Sequence, residues 1–399
     1  MIKPDGSGKS ALLLCPEAPY PTIGGGPLRT ASLVEYLAQR YTLDLIVFRE
    51  PQAPDPRPAF PPHMVRDLHV IELPYHSRRL LARAGRNFVR VLRARPPLND
   101  RFGSFGQAIS SFLRDRQYDL AVIEHFWCAP YSEQVRPHAR TVVLDLHNIE
   151  SLLYLRSART EPWPASVAYH RFHRACLELE RRWFPSFSLL LAASREDVRA
   201  VQQIAPQCSC RIYPNTIPLV PLPIRPEENV VAFSGNFSYH PNVSAVRFFR
   251  LEIWPLLKER WPNLTWRLVG KNPEGVRKYV RGDPRIQLSG PVDNAVEALA
   301  SACLVVVPLL AGSGTRVKIL EAWAAGRAVV STTLGAEGLP ASDGQHLLLA
   351  DSAEAFVRAV SLLLEFPEER RRLGQAGRAL YQQHLTWNTA WEILARIGI

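Results

Sequence analysis

The stretch "CLVVVPLLAGSGTRVKILEAWAAGRAVVSTT", residues 303–333, contains four segments of different character. "CLVVVPL" is a continuous apolar run, "AGSG" is a loop of small residues, "TRVKILEAWAA" repeats apolar residues at helical spacing, and "AVVSTT" is a second apolar run. Gly326 follows the helical segment, in the position where a glycine commonly ends a helix. The order strand, loop, helix, strand predicts a βαβ unit, whose two strands run parallel in one sheet.

The same alternation extends in both directions along the chain. The first half has apolar strand-like runs at 11–15, 43–48, 118–125, 140–148 and 187–194. A helical pattern over 28–40 lies between the first two of these runs. The second half has strand-like runs at 230–236, 264–270 and 285–290, and helical patterns over 242–260, 293–301, 315–325, 352–365, 367–383 and 387–397. Apolar strands between helices predict parallel sheets that are covered on both faces.

One segment, "PNTIPLVPLPIRPEEN" (214–229), contains five prolines and neither the helical nor the strand period, which is typical of a linker. The predicted fold class is therefore α/β, with two Rossmann-like domains at 1–213 and 230–380. The helices over 381–399 are expected to pack back on the first domain. Because ligands of such sheets bind at the carboxyl ends of strands, a site in the cleft between the domains is expected.

Composition limits the class of protein. The chain has 399 residues, 47% apolar and 21% charged, which is a globular composition. It has no apolar run long enough to span a bilayer, and "ALLLC" (11–15) is too short for a signal peptide. The six cysteines lack metal-ligand spacing, so reduced thiols and a cytoplasmic location are expected. The net charge of +11 suggests an anionic ligand or surface, or reflects a general richness in arginine.

The loop Gly312–Ser313–Gly314 has the composition of an anion site. Backbone N–H groups in such a loop can approach a ligand without obstruction, and the following helix start is electropositive. Arg316 and Lys318 lie in the first helical turn, where cations are unfavourable unless an anion is bound. Glu321 lies on the same helix face as Lys318 and can accept hydrogen bonds from a diol. An ordinary βαβ turn with solvent-facing cations remains the alternative.

These motifs together resemble family 4 glycosyltransferases, which are retaining enzymes of the two-domain GT-B fold. The resemblance rests on residues 312–339 and on "PTIGGGPLRTASLVEYLAQ", "SREDVRAV", "YPNTIPL", "VAFSGNFSYHPNVSAVRFF", "WRLVGKNP", "IQLSGPV" and "GRALYQQHLTW". It implies that the second domain binds a nucleotide sugar such as a UDP- or GDP-sugar, and that the sugar moves to a glycan or lipid-linked acceptor. It also implies that the reaction needs neither a metal nor another cofactor, and a membrane-bound protein with a lipid-linked acceptor would be expected to act in polysaccharide biosynthesis.

The resemblance assigns Glu321 to the second acid of the family's Glu-x₇-Glu pattern, where it would hold ribose hydroxyls. The first acid falls on Ser313 and is absent, which puts the donor sugar in doubt. The family's Arg after the first strand of the second domain is also absent, so Arg316 and Lys318 are predicted to hold the diphosphate instead. The expected donor-binding set is Gly25, Gly26, Gly235, Asn236, Gly270, Lys271, Gly290, Ser313, Gly314, Thr315 and Glu321.

Polar residues end two strands of the first domain. His147 follows "VVLDL" with Asp145 two residues before it, and Glu124 and His125 end the strand "YDLAVIEH". These side chains are expected to point into the cleft. By the resemblance, His147 contacts the donor sugar and assists transfer together with Glu321, Arg316 and Lys318. Glu124, His125 and Asp145 are candidates for acceptor contact, although a lone strand-end histidine is more often structural.

Residues 77–97, "SRRLLARAGRNFVRVLRARPP", predict a strongly amphipathic helix. Its arginines, which fall on one side at 100° per residue, are Arg79, Arg83, Arg86, Arg90 and Arg93. Its apolar residues, on the opposite side, are Leu81, Ala84, Phe88, Val91 and Leu92. Such a helix can lie at an anionic membrane surface, which would make the protein peripheral at the inner face of the membrane. Otherwise it packs on its own domain with solvated arginines outside.

Two other functions share these features. A nucleotide-sugar 2-epimerase has the same fold and needs no acceptor, and a non-catalytic binding protein would explain the missing first acid. Nucleic-acid binding is not predicted, because the arginine stripe lacks interleaved exposed aromatic residues. For a transferase, cations and N–H groups aimed at the departing diphosphate would stabilise the transition state more than the ground state.

Overall fold

The computed structural model describes residues 8–77, 79–314 and 316–399. The chain forms two compact units. The first comprises the described residues up to Thr22 together with Gly26–Tyr213 and Ile393–Ile399. The second comprises Ile23–Gly25 and Pro214–Glu392. Each unit is an α/β layer structure built on a parallel sheet, as predicted.

The sheet of the first unit has seven described strands in the order β3-β2-β1-β4-β5-β6-β7, and all pairs are parallel. The strands are β1 (Ser10–Cys15), β2 (Thr42–Arg49), β3 (Asp67–Glu72), β4 (Tyr118–Glu124), β5 (Ala139–Leu146), β6 (Leu189–Ala192) and β7 (Cys210–Ile212). The central strands β1 and β4 are almost wholly buried because helices cover both faces of the sheet. Consequently these central strands are continuous apolar runs in the sequence, which is why the sequence predicts them.

The helices of the first unit are α1 (Gly25–Ala38), α2 (Leu80–Leu92), α3 (Pro97–Phe102), α4 (Gly106–Leu113), α5 (Ser132–Val135), α6 (Glu150–Thr160), α7 (Ala165–Trp183) and α8 (Arg195–Ile204). Helix α8 begins at a side-chain cap, since the backbone N–H of Asp197 donates to Ser194 Oγ at 3.0 Å. None of the described helices of either unit has the length and apolar character that crossing a bilayer requires.

The sheet of the second unit has six described strands in the order β10-β9-β8-β11-β12-β13, again all parallel. The strands are β8 (Glu228–Ser234), β9 (Thr265–Val269), β10 (Ile286–Ser289), β11 (Ala302–Val307), β12 (Ala328–Ser331) and β13 (Leu348–Leu349). The helices are α9 (His240–Phe248), α10 (Trp254–Arg260), α11 (Arg277–Val280), α12 (Ala295–Leu299), α13 (Val317–Ala324), α14 (Ala353–Glu365), α15 (Pro367–His384) and α16 (Trp387–Arg396). The βαβ unit that the opening stretch predicts is β11-α13-β12, and Gly326 follows α13 with a φ of +69°.

The structure differs from the sequence prediction in a few elements. The strands β3, β7 and β13 lie toward the edges of the sheets, are short or carry polar residues, and were not predicted. The helix predicted over 242–260 is interrupted by a π-helical turn at Phe249–Ile253, just before Pro255. Proline has no N–H group, so the regular hydrogen-bond ladder cannot continue through it.

The proline-rich segment is tied to helix α15 within the second unit. Tyr381 donates its hydroxyl to the carbonyl of Pro218 at 2.6 Å, and the backbone N–H of Val220 donates to that hydroxyl at 3.0 Å. Arg378 donates to the carbonyl of Val220 at 3.0 Å. Proline-rich backbone has few N–H donors of its own, and these side chains satisfy its carbonyl groups.

Candidate functional site

Three glycines meet at the carboxyl edge of the second sheet. Gly235, Gly270 and Gly290 directly follow β8, β9 and β10. The N–H of Gly235 donates to the carbonyl of Val269 at 2.9 Å, and that of Gly270 donates to Gly290 at 3.3 Å. Gly270 has a φ of +145°, and a Cβ there would lie 1.9 Å from the carbonyl oxygen of Gly235. The sheet order therefore brings these three predicted residues together, and Gly270 has to be glycine.

The Lys318 ammonium group is held at this glycine junction. Lys318 lies in the first turn of α13, and its Nζ donates to Asn242 Oδ1 at 2.7 Å. It lies 4.1 Å from the centre of the Phe233 ring. A Cβ on Gly235 would approach Nζ to 3.1 Å, so the bare backbone leaves room for the cation. Burial and the nearby Arg316 lower the pKa of Lys318 to about 7, although Glu321 opposes the shift.

Asn242 is a residue that the sequence analysis missed. It lies in the first turn of α9 and is 6% exposed. Its amide Nδ2 donates to the carbonyl of Asn236 at 2.9 Å while its Oδ1 accepts from Lys318. Asn236 in turn accepts at its side-chain oxygen from the Asn272 amide at 2.8 Å. Asn242 thus connects the Lys318 head group to the loop that follows β8, a link no local pattern would reveal.

Glu321 lies one turn further along α13 and faces the end of β8. Its Oε2 accepts from the hydroxyl of Ser234 at 3.3 Å. Burial raises the pKa of Glu321, while Lys318 and Ser234 hold the shift back. Because its hydrogen bond with Ser234 is long, this buried carboxyl group is a suitable acceptor for ligand hydroxyls.

The loop before α13 is organised by Arg316. Arg316 is 9% exposed, and its Nη1 donates to the carbonyl oxygens of Ser313 and Gly314, the latter at 2.6 Å. Gly312 and Gly314 both have positive φ, and a Cβ on Gly312 would collide with the Arg316 guanidinium. Both predicted cations are therefore turned inward rather than to solvent. The predicted residue Thr315 lies outside the described residues.

The remaining predicted donor residues occupy different places. Lys271 follows Gly270 and is half-buried, and its carbonyl accepts from the N–H of Phe237 at 2.9 Å. Gly25 and Gly26 begin helix α1, and a Cβ on Gly26 would lie 2.5 Å from Glu17 Oε1. Gly25 belongs to the short segment Ile23–Gly25 that groups with the second unit.

A second cluster lies at the carboxyl ends of β4 and β5 in the first unit. His147 Nε2 lies 3.4 Å from Asp145 Oδ2 and 3.6 Å from Glu124 Oε1. Burial disfavours the charged imidazole, but the two carboxylates overcome this and raise the pKa of His147. Parallel pairing of Glu124 with Asp145 puts both acids at one level of the sheet. The sequence prediction of these residue types at two strand ends therefore identifies a real cluster.

Helix α1 supplies the groups that hold the two carboxylates. Arg29 donates through Nε to Asp145 Oδ2 at 2.8 Å and through Nη2 to Oδ1 at 2.5 Å. It also donates to the carbonyl of Tyr213 at 2.7 Å. Thr30 donates its hydroxyl to Glu124 Oε2 at 2.6 Å. Although burial opposes it, the Arg29 charge lowers the pKa of Asp145 to about 2.

These contacts correct one expectation. The sequence predicts that the strand-end side chains are open to a cleft, whereas Glu124 and Asp145 are fully buried and His147 is 7% exposed. The physical reason is Arg29, which the sequence analysis did not single out and whose buried charge compensates the acids. Glu124 and Asp145 are thus enclosed by their protein neighbours, and both lie within 3.6 Å of His147 Nε2.

His125 has an unusual backbone. Its φ is +64°, which is uncommon and costly for a side chain with a Cβ. Its ring stacks on Trp127 with centroids 4.1 Å apart, and lies 3.6 Å from the centroid of His147. Burial and the nearby charges of His147 and Arg29 hold the pKa of His125 well below its usual value. The cluster therefore pairs a neutral His125 with a His147 that favours its charged form.

Glu124, Asp145 and His147 could also be considered as metal ligands, since one atom of each lies within 4.8 Å of the others. The Arg29 guanidinium, however, already occupies both oxygens of Asp145. A metal cation at this point would meet that fixed positive charge. The contacts favour an imidazolium–carboxylate cluster, which can hold a proton and donate a hydrogen bond.

Comparison with known sequences shows that a part of the second unit is similar to a described protein family. Residues 228–365 match the family model described as glycosyl transferases group 1. A Klebsiella pneumoniae protein, described as an uncharacterized 44.6 kDa protein in the cps region, is 20% identical over 368 residues, covering 88% of this chain and 89% of that protein. Phosphatidyl-myo-inositol mannosyltransferase of Mycolicibacterium smegmatis is 30% identical over 164 residues, covering 40% of this chain and 41% of that enzyme.

Solved structures resemble the whole chain. Sucrose-phosphate synthase of Thermosynechococcus elongatus has a TM-score of 0.75 at 18% identity and covers 98% of both chains. HepE of Anabaena, in complex with UDP and glucose, has a TM-score of 0.67 at 16% identity and covers 98% of this chain and 99% of its own. Residues 228–365 are thus similar to the glycosyl transferases group 1 domain, and the chain has the GT-B fold of two Rossmann-like units.

Proposed function

We propose that the protein transfers a sugar from a nucleotide-sugar donor, such as a UDP- or GDP-sugar, to a glycan or lipid-linked acceptor. The observation that carries this proposal is the Lys318 ammonium group, held by Asn242 beside the glycine junction of a glycosyltransferase-type domain. The relatives support it: HepE was solved with UDP and glucose, and an Escherichia coli neighbour at 12% identity was solved with UDP-2-fluoro glucose.

The diphosphate is the part of the donor that this site would recognise. Lys318 would meet the phosphate oxygens, and the missing side chain of Gly235 would let them approach its ammonium group. Arg316 would act mainly by fixing the loop Gly312–Gly314, because its Nη1 is engaged by that loop's carbonyl groups. Cleavage of the glycosyl–phosphate bond concentrates negative charge on the departing diphosphate. A preplaced ammonium group stabilises that charge more in the transition state than in the ground state.

Glu321 would accept hydrogen bonds from the ribose hydroxyls. Its raised pKa and its weak contact with Ser234 leave it able to exchange partners when a diol binds. Ser313 stands where the resembling family has an acid toward the donor sugar, and it is 1% exposed. The sugar would therefore be held by other groups than in that family, with transfer proposed to be retaining and independent of a metal.

His147 is proposed to act as a hydrogen-bond donor in its charged form. Its neighbours Asp145 and Glu124 favour the imidazolium, which suits the stabilisation of negative charge or the donation of a proton. A general base would instead need an imidazole that is neutral at the working pH. His125, whose pKa is lowered, is the neutral partner in the same cluster.

Isothermal titration with UDP and with GDP tests the donor site. At least one should bind the wild type, and Lys318→Gln should weaken that binding by about tenfold to a hundredfold, the range for a charged hydrogen bond. Lys278→Gln is the matched control, because it removes an equal charge from an exposed lysine of the second unit that is not among the expected donor-binding residues, and it should have little effect. Binding that is equal in wild type and Lys318→Gln would contradict the proposed site.

Product analysis tests the reaction. Incubation with the donor that binds and with a cell-wall glycan or polyprenyl-phosphate sugar should transfer the sugar and release the nucleoside diphosphate. If the donor is converted to an epimer without any acceptor, the protein is a 2-epimerase. If it binds and neither reaction occurs with any acceptor, it is a binding protein.

A further inference from the structure

Helix α2 has no buried residue and contacts the first unit through part of its arginine side. Arg86 and Arg90 are partly buried, whereas Arg83 and Arg93 on the same side are exposed. Arg90 Nε pairs with Asp100 Oδ2 at 2.8 Å, and Arg86 donates to the carbonyl of Ser77 at 2.9 Å. Arg171 of α7 donates to the carbonyl oxygens of Val91 and Leu92 at 3.0 and 3.2 Å. Polar contacts therefore fix the helix, and not the packing of its apolar residues.

The apolar side of α2 faces solvent as a continuous stripe. Leu81, Phe88 and Leu92, spaced at i, i+7 and i+11, are 88%, 70% and 65% exposed. Leu80 and Val89 flank them and are also exposed. The apolar stripe of a surface helix normally faces the core, and a contiguous exposed apolar patch usually marks an interaction surface. The alternative of a helix that packs its apolar side on its own domain is therefore wrong for these residues, although Arg83 and Arg93 do face solvent as that alternative predicts.

A cationic groove borders this stripe. A cavity of about 220 Å³ is lined by Gly85, Arg86, Val89, Arg90, Arg93, Arg95 and Asp100. At 100° per residue, Gly85 and Val89 lie at the edge of the apolar stripe, so the groove begins where the stripe ends. Residues 73–99 contain seven arginines and no carboxylate. Four guanidinium groups around one groove are suited to phosphate groups.

We propose that α2 is the docking surface for an anionic lipid bilayer. Leu81, Phe88 and Leu92 would lie among the upper acyl chains, and Arg93 and Arg95 would meet lipid phosphates in the groove. A helix is about 10 Å wide, so every exposed arginine of α2 stays within about one Debye length of the lipid surface. Charge complementarity favours lipid over a second copy of the chain, whose α2 would present the same positive charge.

This inference concerns a surface remote in sequence from the donor site and does not rest on the proposed function. Nucleic acid also carries phosphates, but it would leave Leu81 and Phe88 in water. A lipid bilayer is the anionic partner that covers the apolar stripe and the arginine groove together.

Vesicle flotation with the full chain tests the proposal. One set of vesicles contains phosphatidylglycerol and phosphatidylcholine in equal amounts, and the other contains phosphatidylcholine alone. The wild type should float with the first set at low salt and with the second weakly or not at all. Inorganic phosphate at the ionic strength of a sodium chloride control should compete no better than that salt, which distinguishes a bilayer from a free-phosphate site.

Two variants separate the apolar and cationic contributions. Leu81→Glu/Phe88→Glu should reduce vesicle binding by at least about tenfold at every salt concentration, because two large side chains leave the acyl region. Arg93→Gln/Arg95→Gln should reduce binding mainly at low salt. The matched control is Leu251→Glu/Leu256→Glu, which adds the same two charges at exposed leucines of the second unit and should float like the wild type.

Three results would overturn the proposal. The first is a wild type that fails to float with anionic vesicles at low salt. The second is unchanged flotation of Leu81→Glu/Phe88→Glu. The third is a wild-type dimer in sedimentation velocity that this double variant converts to a monomer, which would assign the stripe to self-association. Titration with UDP or GDP should give equal affinities for the wild type and for Leu81→Glu/Phe88→Glu. Loss of vesicle binding can then be distinguished from damage to the donor site.

Discussion

The side chain of Lys318 has an environment that differs strongly from the usual surroundings of a lysine. A lysine in the first turn of a helix is normally solvated, whereas this one lies over the Phe233 ring and donates to Asn242. Its site lacks a full countercharge, since Glu321 lies on the same helix but has a raised pKa itself. The position of Lys318 therefore suits a bound anion, but without one the lowered pKa leaves part of the Lys318 amine unprotonated near neutral pH.

Binding of the nucleoside diphosphate should depend on pH through Lys318. Because its pKa is about 7 in the free protein, the ammonium form is lost as the pH rises from about 7 to 9, and the dissociation constant for the nucleotide should increase. Titration calorimetry across this range measures it. Lys318→Arg is the control, since a guanidinium stays charged and its affinity should change little with pH. An equally flat profile in the wild type would refute the role of Lys318.

The Lys318 site also has a consequence for folding. A lysine whose pKa is lower in the folded than in the unfolded state binds fewer protons when folded. The free energy of unfolding of the wild type, relative to Lys318→Met, should therefore rise between pH 7 and about 10. Urea unfolding of both proteins at several pH values measures the difference. A difference that falls with increasing pH would contradict this.

Arg29 should be essential to the stability of the first unit. Arg29→Gln removes the bidentate partner of a fully buried Asp145, and we expect a loss of about 3–5 kcal/mol in the free energy of unfolding. Arg49→Gln removes the partner of a largely exposed carboxylate, Glu72, and should cost less than about 1 kcal/mol. Chemical denaturation of the three proteins makes the comparison. Equal stabilities of the two variants would show that the buried pair is not required.

At the scale of elements, the carboxyl edge of the second sheet depends on the close approach of two loops. The loops after β8 and β9 touch through backbone atoms, since Gly235 and Gly270 leave no space for a Cβ between them. This contact places Gly235 against the Lys318 ammonium. The geometry of the candidate donor site thus follows from strand adjacency and from glycine.

Replacement of Gly270 should damage this edge. Gly270→Ala would place a Cβ 1.9 Å from a backbone oxygen at a φ of +145°, and should cost about 3 kcal/mol or more of the free energy of unfolding. Gly290→Ala is the matched control, because a Cβ there has nothing within 4 Å. Urea unfolding of both variants measures the costs. A similar small cost for both would show that the loops can move apart freely.

At the scale of the whole molecule, the chain contains two parallel sheets with separate cores. β1 and β4 form the centre of one and β8 and β11 the centre of the other, with residues such as Leu13 and Val305 fully buried. Multidomain chains commonly depart from two-state unfolding for this reason.

Differential scanning calorimetry should therefore show that a bound nucleotide acts on one transition. A nucleoside diphosphate at a hundred times its dissociation constant stabilises the state that binds it by about 2.7 kcal/mol. We expect it to raise the transition of the second unit, and Gly270→Ala to lower the same one. A single two-state transition, or a nucleotide effect on the transition that Arg29→Gln lowers, would contradict this assignment.

The two α/β units, most of the strands and helices, and the residue types at the strand ends can all be predicted from the amino-acid sequence alone. These features can be predicted because they depend on local patterns. A parallel sheet that is buried on both faces requires apolar runs in its strands, helical periodicity between them and glycines at turns. The edge strand β3 escaped detection because its partial burial gives it a mixed polar sequence. The family resemblance predicts that Glu321 binds the ribose hydroxyls. The position of Arg316 and Lys318 in the first helical turn predicts that they bind an anion.

The partners of these side chains, in contrast, follow from the folded chain and not from local sequence. Asp145 and Arg29 are 116 residues apart, and Asn242 and Lys318 are 76 apart, so no spacing in the chain connects them. The orientation of α2 was likewise undecided, since the same amphipathic pattern fits either side against the protein. A sequence pattern predicts which residues share one face of a helix. Whether that face packs against the protein or faces solvent depends on the contacts of the folded chain.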